Sequence, residues 1–244
     1  MDQLEAAVEN GADAIHIGGR NFNARMNAGN FTIEEMQDAL RYVHIRDVKI
    51  FVAINILIND DKLFMVVEYI AEPYEIGIDA AILQDIGPAY LAKKYVPDME
   101  LHFSTQESVY NRSRVENALK IGFERVVLAR EMSIEEIKQT TDLCEIKVFI
   151  HGAMCMCYSG QCQMSRMMGV RRGNRGSCTQ SCRLPYTDDK GNKSSILSPK
   201  DMCTIDLLGD LIDAGVMWLK IEGRTKSPEY VATLVRIYRK YIDL

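Results

Sequence analysis

Four unevenly spaced cysteines are the clearest chemical signal in this sequence of 244 residues. They are Cys155, Cys162, Cys178 and Cys182, separated by 6, 15 and 3 residues in a stretch rich in glycine and serine. Thiolates are soft ligands, and they favour zinc and iron–sulfur clusters over hard cations such as Mg²⁺. The four cysteines therefore predict a metal site.

The spacing favours an iron–sulfur cluster, with zinc as the alternative. Structural zinc is commonly held by paired CxxC turns, which this stretch lacks, whereas uneven spacing suits a loop that wraps around a cluster. Cys144 and Cys203 lie at the ends of predicted helices, so we interpret them as ordinary buried thiols.

The segment around the cysteines is basic in an otherwise acidic chain. From His151 to Lys200 there are eight Lys or Arg residues and two Asp residues, a net charge of +6, whereas the whole chain carries −5. Arginines here can offset thiolate charge or attract an anionic partner. Both interpretations stay open at this point.

A second set of polar residues follows short apolar runs, where the ends of neighbouring strands are expected to meet. Four cations suit an anionic substrate held by bidentate contacts, and we predict that they bind it. These are Arg25, Arg130, Lys220 and Arg224. Three further residues are the catalytic candidates, namely His151, Glu222 and Gln106.

The elements that must position these residues recur along the chain. A helix, a glycine and a short apolar run are repeated at residues 10–17, 77–83, 122–128 and 215–221. The glycine is typical of a helix C-terminus, and the apolar run is typical of a strand buried on both faces. Further strands are predicted at 49–56, 100–104 and 147–151, and helices at 33–43, 61–74, 90–94, 113–120, 134–142 and 204–213.

This alternation predicts parallel strands with helical crossovers, hence an α/β fold of the TIM-type (βα) barrel or, as the alternative, a doubly wound sheet. Seven strands are one fewer than a closed barrel needs, and the sequence begins within a helix at residues 2–8. We therefore expect a single, N-terminally truncated barrel domain over 1–244 that lacks its first strand. A cysteine-rich metal-binding loop is predicted at 152–198, after the sixth visible strand.

Composition and motifs limit where the protein is expected to act and which reactions it is expected to catalyse. The apolar runs, such as residues 48–58, fall short of the roughly 20 residues that cross a bilayer, and no signal peptide opens the sequence. A cytoplasmic location without a membrane span is therefore predicted, where cysteines stay free for metals or catalysis. The hydrolase motifs HExxH and GxSxG do not occur in the sequence.

Several motifs together resemble peptidase family U32, the collagenase-like proteins. They are VFIHGAMC at 148–155, YSGQCQMS at 158–165, GNRGSCTQSCR at 173–183, LSPKD at 197–201 and KIEGRTKSPEY at 220–230. The resemblance extends over essentially the whole chain. Family members begin with a strand and a Pro-Ala-Gly turn ahead of the helix at 4–10, and this sequence has neither.

The resemblance implies two competing functions. The historical family name implies a protease, whereas other members are oxygen-independent hydroxylases that modify tRNA, ribosomal RNA or a ubiquinone precursor. In those members, four cysteines similar to Cys155, Cys162, Cys178 and Cys182 hold a [4Fe–4S] cluster. RNA hydroxylation is the favoured reading, because the chain has candidate cluster ligands and no recognisable hydrolytic motif.

The hydroxylase reading also implies partners and roles. Prephenate is the oxygen donor suggested by the family, and the four predicted substrate-binding cations would hold this dicarboxylate. Arg171, Arg172 and Arg175 would contact RNA phosphates. An electron-transfer or family partner protein is possible, and so is a non-enzymatic alternative in which a structural zinc stabilises a scaffold.

Overall fold

The computed structural model describes residues 1–25, 28–169, 173 and 176–244. Its strands are Ala14–Gly18 (β1), Lys49–Ile54 (β2), Ala80–Leu83 (β3), Glu100–Phe103 (β4), Arg125–Val127 (β5), Glu145–Gly152 (β6), Tyr186–Thr187 (β7), Lys193–Ser194 (β8), Met202–Cys203 (β9) and Trp218–Ile221 (β10). Its helices are Asp2–Val8 (α1), Ile33–His44 (α2), Leu63–Ile76 (α3), Ile86–Tyr95 (α4), Arg112–Ile121 (α5), Ile134–Lys138 (α6), Met164–Met167 (α7), Leu208–Asp213 (α8) and Pro228–Ile242 (α9).

Seven parallel strands form a curled sheet in the order β1-β2-β3-β4-β5-β6-β10. Helices connect most of these strands, which confirms the predicted barrel-type α/β fold. The short strand β9 pairs antiparallel with β6, and β7 and β8 form a separate hairpin within the cysteine-rich segment. All seven strands of the curled sheet were predicted from the sequence.

The curled sheet is a half-barrel with two edges. Within the described residues, β1 pairs with β2 alone and β10 pairs with β6 alone. Helices α1 and α9 pack together across this gap, and Arg239 Nε donates a hydrogen bond of 3.0 Å to the carbonyl of Gly11. The two edges of the sheet are therefore linked through helices.

Two glycines show why a glycine recurs between each predicted helix and the strand that follows it. Gly77 ends α3 at φ 96°, and Gly122 ends α5 at φ 106°. Residues other than glycine rarely adopt this left-handed backbone conformation. Glycine therefore allows the chain to turn sharply from the helix into β3 or β5. The apolar residues of these strands then pack against the helices, where the main core lies.

The structure corrects some predicted elements and adds others. Helix α6 ends at Lys138, not at 142, because residues 139–143 form turns before β6. Helix α9 and the short strands β7, β8 and β9 were not predicted. No helix in the described part of the chain is long and apolar enough to cross a membrane.

Candidate functional site

A cavity of about 820 Å³ extends along the open side of the half-barrel, between β1 and β10, and reaches the C-terminal ends of the strands. The end of a barrel at which strands terminate is where loops gather functional side chains. Predicted substrate-binding and catalytic residues that line the cavity are Arg25, Gln106, Arg130, Lys220, Glu222 and Arg224. Six of the seven residues predicted from strand ends therefore lie at one place.

Glu222 is the centre of the charged residues in this cavity. Its Oε1 contacts Arg25 Nη2, and its Oε2 lies 3.5 Å from Arg130 Nη2. Both Glu222 and Arg130 have side chains only 12% exposed, so this pair is shielded from solvent. One carboxylate is thus shared by two guanidinium groups, which leaves the cluster with a net positive charge.

Arg224 is held by two asparagines in the loop after β1. Its Nη2 donates hydrogen bonds of 2.9 Å to Asn23 Oδ1 and to Asn30 Oδ1. A Cβ atom at Gly18 would lie 2.1 Å from Arg224 Nη2, so only glycine leaves room for the guanidinium at this position. Burial, together with the charge of Arg25, lowers the pKa of Arg224 to about 10.

Lys220 and Arg130 share an aromatic neighbour. Arg130 lies with its guanidinium carbon 4.1 Å from the centre of the Phe149 ring, and Lys220 Nζ is 5.0 Å from the same point. A ring face attracts cations without neutralising them. Phe149 therefore contacts both side chains without neutralising Arg130 and without giving Lys220 Nζ an anionic partner.

Gln106 contributes an unpaired acceptor. Its backbone carbonyl accepts hydrogen bonds from Gln84 Nε2 at 3.2 Å and from Gln161 Nε2 at 2.8 Å. Its side-chain Oε1 is buried and has no partner among the described residues. Since buried polar atoms are normally hydrogen-bonded, this oxygen is suited to a ligand donor.

His151 does not line the cavity in the described structure. Its Nδ1 lies 3.3 Å from the Tyr238 hydroxyl, and its ring packs edge-on against Tyr230 and Tyr238 of α9. The pairing of β6 with β10 is irregular at this point, since it shifts by one residue between Lys220 and Ile221 and aligns His151 with Ile221. The catalytic role predicted for His151 stays a prediction.

Three of the four predicted metal ligands line the same cavity, namely Cys155, Cys162 and Cys178. Two of these sulfurs accept backbone hydrogen bonds, from Met164 N to Cys162 at 3.4 Å and from Gln180 N to Cys178 at 3.3 Å. Such bonds favour thiolates and are typical around iron–sulfur clusters. All seven cysteines are free thiols.

The cysteine positions nevertheless do not form a finished metal site. No three His, Cys, Asp or Glu side chains of the described residues come close enough together to hold an ion. The type of donor therefore fits an iron–sulfur cluster or zinc, while the described arrangement of the four thiols is not that of a closed coordination shell.

One charged residue attaches the cysteine segment to the half-barrel, and another joins the two ends of the segment. Glu131 accepts hydrogen bonds from Ser159 N at 3.0 Å and Ser159 Oγ at 2.9 Å. Arg183 Nη2 donates to the Met154 carbonyl at 3.0 Å, and its Nη1 donates to Ser198 Oγ at 2.8 Å. The two ends of the segment are thus held together beside Cys182.

The predicted RNA contacts Arg171, Arg172 and Arg175 lie outside the described residues.

Sequence reasoning did not single out Gly18, Asn23, Asn30 or Phe149. Asparagines and glycines in a loop usually indicate a turn, so their part in holding Arg224 had no separate signal. Phe149 belongs to a predicted strand, and alternation along that strand was the one available hint that its ring faces the barrel interior.

A half-barrel of parallel strands with a cysteine-rich segment over its open mouth defines the class of protein. The chain belongs to peptidase family U32, whose model matches residues 1–244. This finding confirms the resemblance noted in the sequence.

Curated relatives within this family have different names. The 23S rRNA 5-hydroxycytidine C2501 synthase of Escherichia coli strain K12 is 42% identical over 246 residues, covering 97% of this chain and 37% of the relative. The tRNA hydroxylation protein P1 of Bacillus subtilis strain 168 is 39% identical, covering 100% of this chain and 61% of that protein. The chain therefore spans less than two thirds of the length of either relative.

A third relative has a proteolytic name. The collagenase of Porphyromonas gingivalis strain W83 is 32% identical, covering 99% of this chain and 63% of that protein. Among solved structures, a xylose isomerase-like TIM barrel fused to a 4-hydroxyphenylpyruvate dioxygenase matches 98% of this chain and 40% of its own, with a TM-score of 0.52 and 12% identity. That likeness concerns the fold alone.

Proposed function

We propose that this chain supports the oxygen-independent hydroxylation of RNA, either tRNA or rRNA, with a [4Fe–4S] cluster on Cys155, Cys162, Cys178 and Cys182. The observation that carries the proposal is the family membership, combined with two relatives named for rRNA and tRNA hydroxylation. The positions of three of these cysteines on the wall of a cationic cavity support it further.

The cluster would supply electron transfer when bound. The chain's own residues would bind and orient a small anionic co-substrate, for which prephenate is the oxygen donor we propose. Arg25, Arg130 and Arg224 would bind its carboxylates, because guanidinium groups form bidentate pairs with them. Glu222 would hold Arg25 and Arg130 in place, and the free Oε1 of Gln106 would accept a hydrogen bond from the ligand.

The function is tested by comparing RNA from cells with and without the gene. Nucleosides from tRNA and rRNA are separated and measured by mass spectrometry, and we expect one hydroxylated nucleoside to disappear without the gene and to return with the wild-type chain. Identical nucleoside profiles in both strains would contradict RNA hydroxylation.

The cluster is tested separately by iron and acid-labile sulfide content after purification without oxygen. We expect about four irons and four sulfides per chain, and a large loss of both in Cys162→Ser and Cys178→Ser. Cys144→Ser is the matched control and should keep its iron, because burial raises the pKa of Cys144 to about 11 and disfavours the thiolate. Bound zinc without sulfide would instead support the zinc alternative.

RNA contact is tested by replacing Arg171, Arg172 and Arg175 together with alanine. If these arginines bind phosphates, affinity falls and its dependence on salt becomes shallower, because fewer counterions are released. An unchanged affinity and salt slope would argue that the basic segment serves the cysteines rather than RNA.

Peptide hydrolysis is the second candidate, because the family name and the collagenase relative point to it. Release of peptides from gelatin by purified protein, retained after removal of RNA and iron, would support this candidate over hydroxylation. Hydroxylation of a ubiquinone precursor is distinguished by the same gene deletion, through the quinone intermediates that accumulate.

A further inference from the structure

We infer that Lys220 acts as a nucleophilic amine that forms an imine with a small carboxylate bearing a ketone or aldehyde group. The inference deepens the proposed function, since it rests on the same cavity and names the chemical class of its co-substrate. It assigns to Lys220 a covalent role that goes beyond the binding of an anion.

The position of Lys220 suits a reacting group. The residue lies in β10 next to its C-terminal end, and its side chain lines the 820 Å³ cavity. Among the described residues, Lys220 Nζ has no hydrogen-bond or ion-pair partner, and it lies 5.0 Å from the centre of the Phe149 ring. A structural lysine at such a site normally has an anionic partner.

The surroundings of Lys220 favour its neutral form. Burial, together with the charges of Arg224 and Arg130, lowers its pKa to about 7, and the charge of Glu222 acts in the opposite direction. An ordinary lysine has fewer than about one amine in a thousand unprotonated at neutral pH. Here a substantial fraction is the free amine, which is the form that attacks carbonyl carbon.

A contrast within the same barrel supports the choice of this lysine. Lys147 is also buried, but its Nζ lies 3.1 Å from His16 Nε2 and between the rings of Phe51 and Trp218. Lys226, near the same end of the barrel, forms an ion pair with Asp201 at 3.5 Å. Each of these two amines already has a polar partner.

The neighbours of Lys220 define the ligand class. Arg130 and Arg224 provide sites for a carboxylate, while the uncharged amine calls for an electrophilic carbon rather than for a second anion. In the reaction, the nitrogen lone pair attacks the carbonyl carbon to give a carbinolamine. The carbonyl oxygen then leaves as water with two protons that the amine supplied, and a carbon–nitrogen double bond forms. No oxidant or reductant is needed.

The experiment is reductive trapping. Purified protein is incubated with pyruvate, borohydride reduces any imine to a stable secondary amine, and intact-mass and peptide mass spectrometry count and locate the adduct. We expect one adduct, on Lys220, and at least about tenfold less label in Lys220→Arg, which keeps the charge but forms no imine. Lys226→Arg is the matched control and should be labelled like the wild type.

Several outcomes would overturn the inference. They are equal labelling of Lys220→Arg, adducts spread over exposed lysines, and no adduct on wild-type protein whose circular dichroism shows that it is folded. Labelling by acetone as efficient as by pyruvate would overturn the carboxylate class. The readout is independent of RNA, so a trapped Lys220 in a protein that leaves RNA nucleosides unchanged would refute the proposed function and not this inference.

Discussion

Glu222 has a structural part at the site, as the counter-charge of two arginines. Burial lowers the pKa of Arg130, and the carboxylate of Glu222 is the main influence that opposes this. The side chains of both residues are 12% exposed, so solvent screens their interaction poorly. The carboxylate of Glu222 therefore offsets part of the free-energy cost of burying the Arg130 guanidinium in the cavity.

This argument predicts the effect of Glu222→Gln. The substitution keeps the shape of the side chain but leaves Arg130 without its counter-charge, so we expect the free energy of unfolding to fall by about 1–3 kcal/mol. Urea denaturation at neutral pH measures the change. Glu116→Gln, which weakens an exposed pair with Arg112, is the control and should change stability by less than about 0.5 kcal/mol. Equal effects of both substitutions would contradict the assigned role of Glu222.

The sequence predicted that the candidate residues lie together, and six of them line one cavity, because parallel strands all end at one side of a barrel. That rule needs only the strand assignments, and those were readable from glycines and apolar runs. It failed for His151, since the register shift between β6 and β10 depends on how two strands distant in sequence pair. Likewise, the asparagines that hold Arg224 are identified by contacts across 194 and 201 residues.

At the scale of elements, local signals explain most of what could be predicted. Helix α2 begins with a capping box, in which Thr32 accepts from Glu35 N and Glu35 accepts from Thr32 N. Helix α9 was not predicted although it has comparable signals, with Ser227 as N-cap and Pro228 in its first turn. Strands β7 to β9 are two residues each, too short to give a periodic pattern.

The capping box predicts the effect of Thr32→Ala. Loss of the hydroxyl leaves the Glu35 amide without its acceptor at the helix start, so we expect the free energy of unfolding to fall by about 1 kcal/mol. Gln37→Ala lies on the exposed face of the same helix and is the control, since alanine is a good helix former and no cap is lost. Thermal melting of both variants measures the difference. A Thr32→Ala variant that melts with the wild type would show that tertiary packing alone fixes the start of α2.

At the scale of the whole molecule, the interior of the half-barrel contains buried basic side chains, one of which, Lys147, also lines the cavity. Lys147 is 1% exposed and lies with its Nζ 4.5 Å from the centre of the Phe51 ring and 4.9 Å from that of Trp218. Arg125 forms ion pairs with Glu145 and with Glu100, the latter at 3.3 Å. A barrel interior normally holds branched apolar side chains, so a buried lysine such as Lys147 makes folding sensitive to pH.

That sensitivity has a definite sign for Lys147. Burial lowers its pKa well below the ordinary value of 10.5, and the charges of Lys220 and Arg125 lower it further, against the smaller opposing influence of Glu100 and Glu145. Between the lowered pKa and 10.5, the unfolded chain binds more protons than the folded one. The stability associated with this group is therefore complete above 10.5 and is lost as pH falls toward the lowered pKa.

Lys147→Met separates this group from the others that titrate in the same range. Methionine has a similar shape and no charge, so the difference in unfolding free energy between variant and wild type should favour the variant at neutral pH. It should shrink as pH rises toward 10, by up to about 1.4 kcal/mol per pH unit. Urea denaturation across this range measures the difference, with the exposed Lys94→Met as a control that follows the wild type. Parallel curves for wild type and Lys147→Met would mean that Lys147 keeps the same charge on folding, and that the aromatic rings around it compensate for burial.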